Sequence, residues 1–402
     1  MDKASVRDIG VKGKRVLVRV DFNVPLDEKT GVITDDSRIK AALPTIRYLI
    51  EKGARTILAS HLGRPNGKVI ESMRMAPVAK RLSELLGRSV ITTPDCVGIE
   101  AEKASSNLKD GEILLLENLR FHAEEEANNP YFARSLASLA EIYVDDAFGT
   151  AHRKHASIVG VTKYLPSVAG LLLEKEITTL GGLLENPQHP FCALLGGAKI
   201  SDKVALLEKI MGKVDRILIG GGMAATFLKA KSYEIGQSLY EADRIETAAG
   251  IMQEAVKRKI RLVLPSDTMV VKEITEKAGR RVVSINHVPA DVKIVDIGPE
   301  TMKSFQEQLK DCRTVFWNGP MGIYEVPEFG EGTRTMAKTL AGLKASTVIG
   351  GGSTADVVAD LGLETKMTFV STGGGASLSF LSGEKLPGVE ALMDKDMAGK
   401  LK

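Results

Sequence analysis

The sequence predicts an α/β protein built from two doubly wound parallel sheets joined by a hinge helix. Three observations predict it. Short apolar runs alternate with helix-like segments along the whole chain, the runs lack strict polar alternation, and 402 residues exceed one ordinary core.

In the first half the runs are RVLVRVDFN, TILASHLGRP, SVITTPD, EILLLENLR and EIYVDDAFG. In the second half they are FCALLGGAK, RILIGGGM, RLVLPSD, TVFWNGPMG, TVIGGGST and MTFVSTGGG. Each contains a core of mostly Val, Ile and Leu, which is how a strand covered by helices on both faces reads. Between them, residues 38–52, 76–86, 133–140 and 203–211 carry apolar residues at helical spacing, and Gly53, Gly87 and Gly212 are stop signals. Strands alternating with helices in both halves favour two Rossmann-like domains over a single sheet. The LLLEKEITTLGGLLEN stretch followed by NPQHP reads as an amphipathic helix and a break. The expected boundaries are therefore 1–172 for the first domain, 173–190 for the hinge, 191–384 for the second domain and 385–402 for a C-terminal segment.

Composition narrows the function. With 54 basic and 51 acidic residues the formal charge is +3, so bulk charge selects neither nucleic acid nor membrane as partner. Cys96, Cys192 and Cys312 form no CxxC pair, which fits a reducing, cytoplasmic setting with buried thiols. The charged N-terminus lacks a signal-peptide core, and no apolar run has the length of a membrane span. The absence of a long exposed apolar stripe favours a monomer.

The chemistry gathers where strands end, because ligands of open parallel sheets bind beyond the carboxyl ends. In the first half those ends carry Asp21 and Asn23, His61 and Arg64, Arg120, and Arg153 in GTAHRKH, with Arg38 at the start of the first helix. Four guanidinium groups on one edge suit a phosphate or carboxylate ligand. His152 and His155 lack a carboxylate or thiol at metal spacing, so phosphate contact or loop packing is expected of them. The run 124–126 reads as a solvated acidic loop.

In the second half the ends are rich in glycine: GGAK (196–199), GGG (220–222), NGPMG (318–322), GGGST (350–354) and STGGG (371–375). Such turns let backbone N–H groups approach phosphates at helix starts. Lys199 and Lys203 are expected one helical turn apart, and Ser353 and Thr354 as N-caps. There is no GxxxxGK[ST], and no GxGxxG with a placed ribose acid, which weakens the alternative of an NAD-dependent dehydrogenase. A cationic lobe and a glycine-rich lobe fit phosphoryl transfer, which needs positioning and charge stabilisation. An acceptor already ionised needs no general base.

RVLVRVDFNVP (15–25), SHLGRP (60–65), LLENLRF (115–121), DDAFGTAHR (145–153), GGAKISDK (196–203), WNGPMGIYE (317–325), GGGST and STGGGAS (371–377) resemble, in order, the motifs of the phosphoglycerate kinase family. The resemblance implies reversible transfer from 1,3-bisphosphoglycerate to ADP, as a Mg2+-nucleotide, by hinge closure. By motif it assigns Asp21, Phe22, Asn23, Arg38, His61, Leu62, Gly63, Arg64, Arg120 and Arg153 to phosphoglycerate. It assigns Gly197, Lys203, Gly220, Gly221, Asn318, Pro320, Glu325, Gly351, Gly352, Ser353 and Thr354 to the nucleotide. Arg38, Lys199, Gly373 and Gly374 would serve the transferring phosphoryl group. Many members carry Asp where this chain has Ser353, so how the metal is held departs from the family pattern.

Overall fold

A computed structural model of the protein describes residues 3–275 and 279–399. The chain divides into two compact units, one running to Thr178 and resuming at Lys385, the other Thr179–Glu384. Among the described residues no helix is long and apolar enough to cross a membrane.

The first unit holds strands β1 (Arg15–Arg19), β2 (Arg55–Ala59), β3 (Ile91–Thr92), β4 (Ile113–Leu115), β5 (Ile142–Asp145) and β6 (Ser167–Ala169). They form one all-parallel sheet in the order β3-β4-β2-β1-β5-β6. Val16 and Val18 of β1 and Val144 of β5 share a core with Ile39, Ala42, Ile46 and Leu49 of the helix Ser37–Glu51. Those four positions fall three or four apart, so one helix face covers the sheet. The helix Ala76–Leu86 buries Val78, Ala79 and Leu82 and stops at Gly87, whose φ of 64° is left-handed. A third helix begins earlier than its periodicity indicates. It spans Pro130–Ala137 because the Asn129 side chain accepts from the N–H groups of Tyr131 and Phe132, with Pro130 in the first turn.

Strand β6 has only β5 as a sheet partner, and both chain ends cover its other side. Val6 N donates to Ala169 O at 2.8 Å and Ala169 N to Ala4 O at 2.9 Å. Met393 N donates to Ser167 O, and Ala4 N to Met393 O, each at 2.9 Å.

The helix Leu171–Glu185 contains the point where the units divide. Its first N–H groups find side-chain acceptors. Leu171 N donates to Thr45 Oγ1, and Leu172 N to Asp146 Oδ1, each at 2.9 Å. Burial pushes the Asp146 carboxyl up to about 7, against the pull of these bonds.

The second unit holds β7 (Phe191–Leu195), β8 (Arg216–Ile219), β9 (Arg261–Val263), β10 (Asp267–Val271), β11 (Arg281–Ser284), β12 (Lys293–Ile297), β13 (Thr314–Asn318), β14 (Ser346–Gly350) and β15 (Phe369–Val370). Six of them make a second all-parallel sheet, β15-β14-β13-β7-β8-β9. Trp317 on β13 is fully buried in its core, and its Nε1–H donates to Gly319 O at 2.9 Å. The remaining three form an antiparallel sheet, β11-β10-β12, beyond the two parallel sheets that the sequence predicts.

Candidate active site

Because β1, β2, β4 and β5 are parallel, their carboxyl ends deliver side chains to one edge of the first unit. A continuous chain of bonds runs there. Arg38 Nη1 donates to Asp21 Oδ2 at 2.8 Å, and Asp21 Oδ1 accepts from Asn23 N at 3.2 Å. Asn23 Oδ1 accepts from Gly63 N at 2.8 Å, and Gly63 O accepts from Arg120 Nη1 at 2.9 Å. Leu62 is clasped by Asn118, whose Oδ1 accepts from Leu62 N at 3.2 Å while Nδ2 donates to Leu62 O at 2.8 Å. Phe22 is fully buried and its N–H donates to Ser60 Oγ at 2.9 Å.

The cations crowd. Burial, then Arg19, Arg120 and Arg38, hold the His61 imidazole well below its usual range. Burial lowers Arg120 despite Glu126, with Arg19 and Arg153 adding to the effect. Burial together with Arg120, Arg19 and Arg153 brings His155 down to about 4. So Arg38, Arg120, Arg153 and His61 share one electrostatic neighbourhood. Arg153 is half-buried, while Arg64 is exposed on the turn after Gly63 and stands apart from the bonded chain of Arg38, Asp21, Asn23 and Arg120.

The acidic run departs from expectation. Glu124 and Glu126 are not buried, but Glu125 is completely so, with both carboxylate oxygens engaged by Ser157. Its partner cation is Arg19, also fully buried. The sequence carried one signal for this pair, a lone cation inside the apolar run VLVRV.

In the second unit the turns after β7, β8 and β13 bind one another through their backbones. Gly197 N donates to Pro320 O at 2.8 Å, Gly221 N to Met321 O at 3.0 Å, and Gly220 N to Leu195 O at 2.8 Å. Gly319 has φ +94°, and a Cβ there would sit 2.4 Å from Gly196 O. Lys203 Nζ donates to Asn318 Oδ1, and Asn318 Nδ2 is buried without a partner. An unsatisfied buried amide at a strand end is the kind of group that a ligand completes.

Two local expectations are corrected here. Residues 201–203 form a turn, with Lys203 N bonded to Ile200 O at 2.8 Å, so Lys199 and Lys203 are not one helical turn apart. Lys199 is exposed and Lys203 buried. Nor do Ser353 and Thr354 cap the helix Gly352–Asp360, whose N-cap is Gly351 with no side-chain bond. Thr354 Oγ1 instead accepts from Gly319 N at 2.7 Å, and the Ser353 hydroxyl meets Tyr324. Gly351 adjoins Asn318, whereas Gly352 and Glu325 are exposed and Pro320 is half-buried. Gly373 N donates to Ser371 Oγ at 3.1 Å, and Gly374 lies just before the helix Gly375–Leu381.

Burial brings the Lys203 ammonium down to about 8, with Asp202 opposing the shift. A lysine is charged below its pKa, so anion binding that uses Lys203 is strong at pH 7 and weakens as pH rises past 8. For the ADP that the family resemblance implies at Lys203, affinity measured calorimetrically is expected to fall about 5-fold between pH 8 and 9, and Lys203→Met is expected to remove the slope. An unchanged affinity at pH 9 separates Lys203 from the anion.

The sequence pattern of the family described as phosphoglycerate kinase matches residues 6–384. A curated relative named phosphoglycerate kinase from Dictyoglomus turgidum is 56% identical, over 97% of this chain and 98% of that protein. One from Pelotomaculum thermopropionicum is 54% identical, over 98% of this chain and all of its relative. Among solved structures, phosphoglycerate kinase from Coxiella burnetii superposes with TM-score 0.86 at 40% identity, over 97% of this chain and 98% of that one. The enzyme from Pyrococcus horikoshii gives TM-score 0.86 at 34% identity, over 99% and 100%. None of this supports the dehydrogenase alternative. Two parallel-sheet units, an arginine-rich strand edge and glycine-rich turns accompany matches over nearly the whole length, and the chain belongs to the phosphoglycerate kinase family, phosphotransferases with a carboxyl group as acceptor.

Proposed function

We propose that the first unit holds phosphoglycerate and the second the Mg2+-nucleotide, and that phosphoryl transfer between 1,3-bisphosphoglycerate and ADP uses the residues placed above. The observation that carries the reading is the crowding of Arg38, Arg120 and Arg153 with His61, close enough that burial and like charge depress His61 and Arg120. A polyanion relieves that repulsion, so the site stores affinity for one.

Asp21 and Asn23 add acceptors beside these cations, which suits an anion that also carries a hydroxyl. Asn118 and Asn23 fix the backbone of Leu62 and Gly63, so Arg120 and His61 meet the ligand already oriented. The acceptor carboxylate is ionised at neutral pH, and His61, kept neutral, is not needed as a base.

On the second unit the N–H groups at the starts of Gly352–Asp360 and Gly375–Leu381 offer phosphate positions, and Lys203 adds charge. Magnesium arrives with the nucleotide and offsets phosphate charge. Ser353 offers an exposed neutral hydroxyl where many relatives carry a carboxylate, which suits a metal held mainly by the nucleotide phosphates. Arg38 and Lys199 neutralise charge spreading over the transferring group, aided by Gly373 and Gly374.

A coupled assay with ATP and 3-phosphoglycerate, run with Mg2+ and with EDTA, tests the reading. Turnover that needs both substrates and the metal is expected; none under any condition overturns it. Lys199→Ala is expected to lower kcat about 100-fold with KM little changed, as loss of a transition-state donor does. A change confined to KM would make Lys199 a binding group only. The three buried free thiols support a reducing cytoplasmic setting, and a monomeric enzyme is expected from size-exclusion chromatography.

A further inference from the structure

We propose that Glu125 and Ser157, acting through the buried Arg19, are positioning residues that hold His61 as a neutral imidazole with its proton on Nε2, aimed at the acidic substrate. This rests on the reading of the first unit's strand edge as the phosphoglycerate site.

Each link in the chain has one allowed direction. Arg19 Nη2 lies 3.1 Å from His61 Nδ1. A guanidinium only donates, so Nδ1 must accept and the ring proton resides on Nε2. Arg19 Nε donates to Ser157 Oγ at 2.9 Å, and Nη1 donates to Val20 O. With that lone pair used, the Ser157 hydroxyl proton points to Glu125 Oε1 at 2.5 Å, while Ser157 N donates to Oε2 at 2.9 Å. One carboxylate thus grips one residue twice and sets the hydroxyl that orients Arg19.

Charge accounts for the arrangement. Arg19 and Glu125 are both at 0% exposure, and either ion buried without the other would carry a large desolvation cost. Around His61 stand Arg19, Arg120, Arg38 and His155, with Glu125 on the far side of Arg19; His155 Nδ1 lies 3.8 Å from Glu125 Oε1. A second proton on His61 would add one more cation to this cluster. Fixing the neutral tautomer gives a directed N–H donor whose state does not change across physiological pH. His61 then contributes direction, and the arginines contribute charge.

The test reads the tautomer itself. In uniformly 15N-labelled wild-type protein without ligand, the His61 imidazole is expected in the Nε2–H form, staying neutral through the range in which a free imidazole protonates, near about 6.5. Ser157→Ala and Glu125→Gln are expected to loosen Arg19 and give a mixed tautomer, while the ring stays neutral because burial and the arginines around it remain. Both substitutions should also raise the phosphoglycerate KM about 5- to 10-fold while the nucleotide KM stays put. A wild-type His61 with its proton on Nδ1, or one titrating near 6.5, overturns the proposal even if no variant folds. So do variants that only melt earlier, with tautomer and phosphoglycerate KM unmoved. If wild-type protein turns over no phosphoglycerate, the reading of the site fails instead, and the tautomer stands or falls on the spectrum alone.

Discussion

Arg38→Ala is expected to raise the barrier to turnover by about 2–4 kcal/mol, the cost of losing a donor that acts on transition-state charge. The guanidinium is suited to that role. It pairs with Asp21 at 2.8 Å, and its side chain remains 38% exposed, so it can turn toward a ligand. The pair is part-buried, with Asp21 13% and Arg38 38% exposed, and its loss should cost folding only about 1 kcal/mol. Steady-state kcat with both substrates saturating separates the effects. Wild-type turnover by the variant would remove Arg38 from the chemistry, and Arg38→Lys should recover only part, since an ammonium lacks the planar fork.

The second large effect is structural. Gly319→Ala is expected to destabilise the protein by about 3 kcal/mol or more, because backbone strain at positive φ is joined by a collision. The added Cβ would meet Gly196 O at 2.4 Å and Gly197 N at 2.9 Å, both backbone atoms with little room to yield. Since the turns after β7 and β13 bond to each other, the same change should weaken nucleotide binding. Urea unfolding and calorimetric titration with ADP measure the two losses. Gly352→Ala is the control for stability, because a Cβ there meets nothing within 4 Å. Equal stability of the two variants would show that the turn tolerates the methyl group.

Much of this architecture could be read from the chain itself, for identifiable reasons. Eleven of the twelve parallel strands lie in the apolar runs, since a strand covered on both faces must be apolar nearly throughout. The twelfth, β6, has only Ser167, Val168 and Ala169, too few residues for any period to register. The antiparallel trio was hidden differently. Strand β11 has exposed residues on an edge, and β10 begins with Asp267, whose carboxylate accepts from Glu300 N and Thr301 N. Polar groups with such specific partners look like loop when partners are invisible.

The strand-end arginines were legible because topology alone gathers them. Glu125 was not: three consecutive glutamates look solvated, and partners distant in sequence, Ser157 and Arg19 foremost, hold the middle one in the interior. Lys199 and Lys203 diverge for a similar reason. The bond from Lys203 N to Ile200 O bends the chain before the helix Val204–Ile210 begins, leaving one lysine exposed and sinking the other.

The bonding of both chain ends along β6 has a consequence for biosynthesis. A chain leaving the ribosome folds from its N-terminus forward, yet here the residues that close the first sheet's open side include Met393, which follows the whole of Thr179–Glu384. The first unit therefore stays unfinished until residues beyond Glu384 emerge, by which point Thr179–Glu384 has been made. Loss of the tail would leave Ser167 O and Ala4 N without their backbone partners while the bonds of Ala4 and Val6 to Ala169 remain.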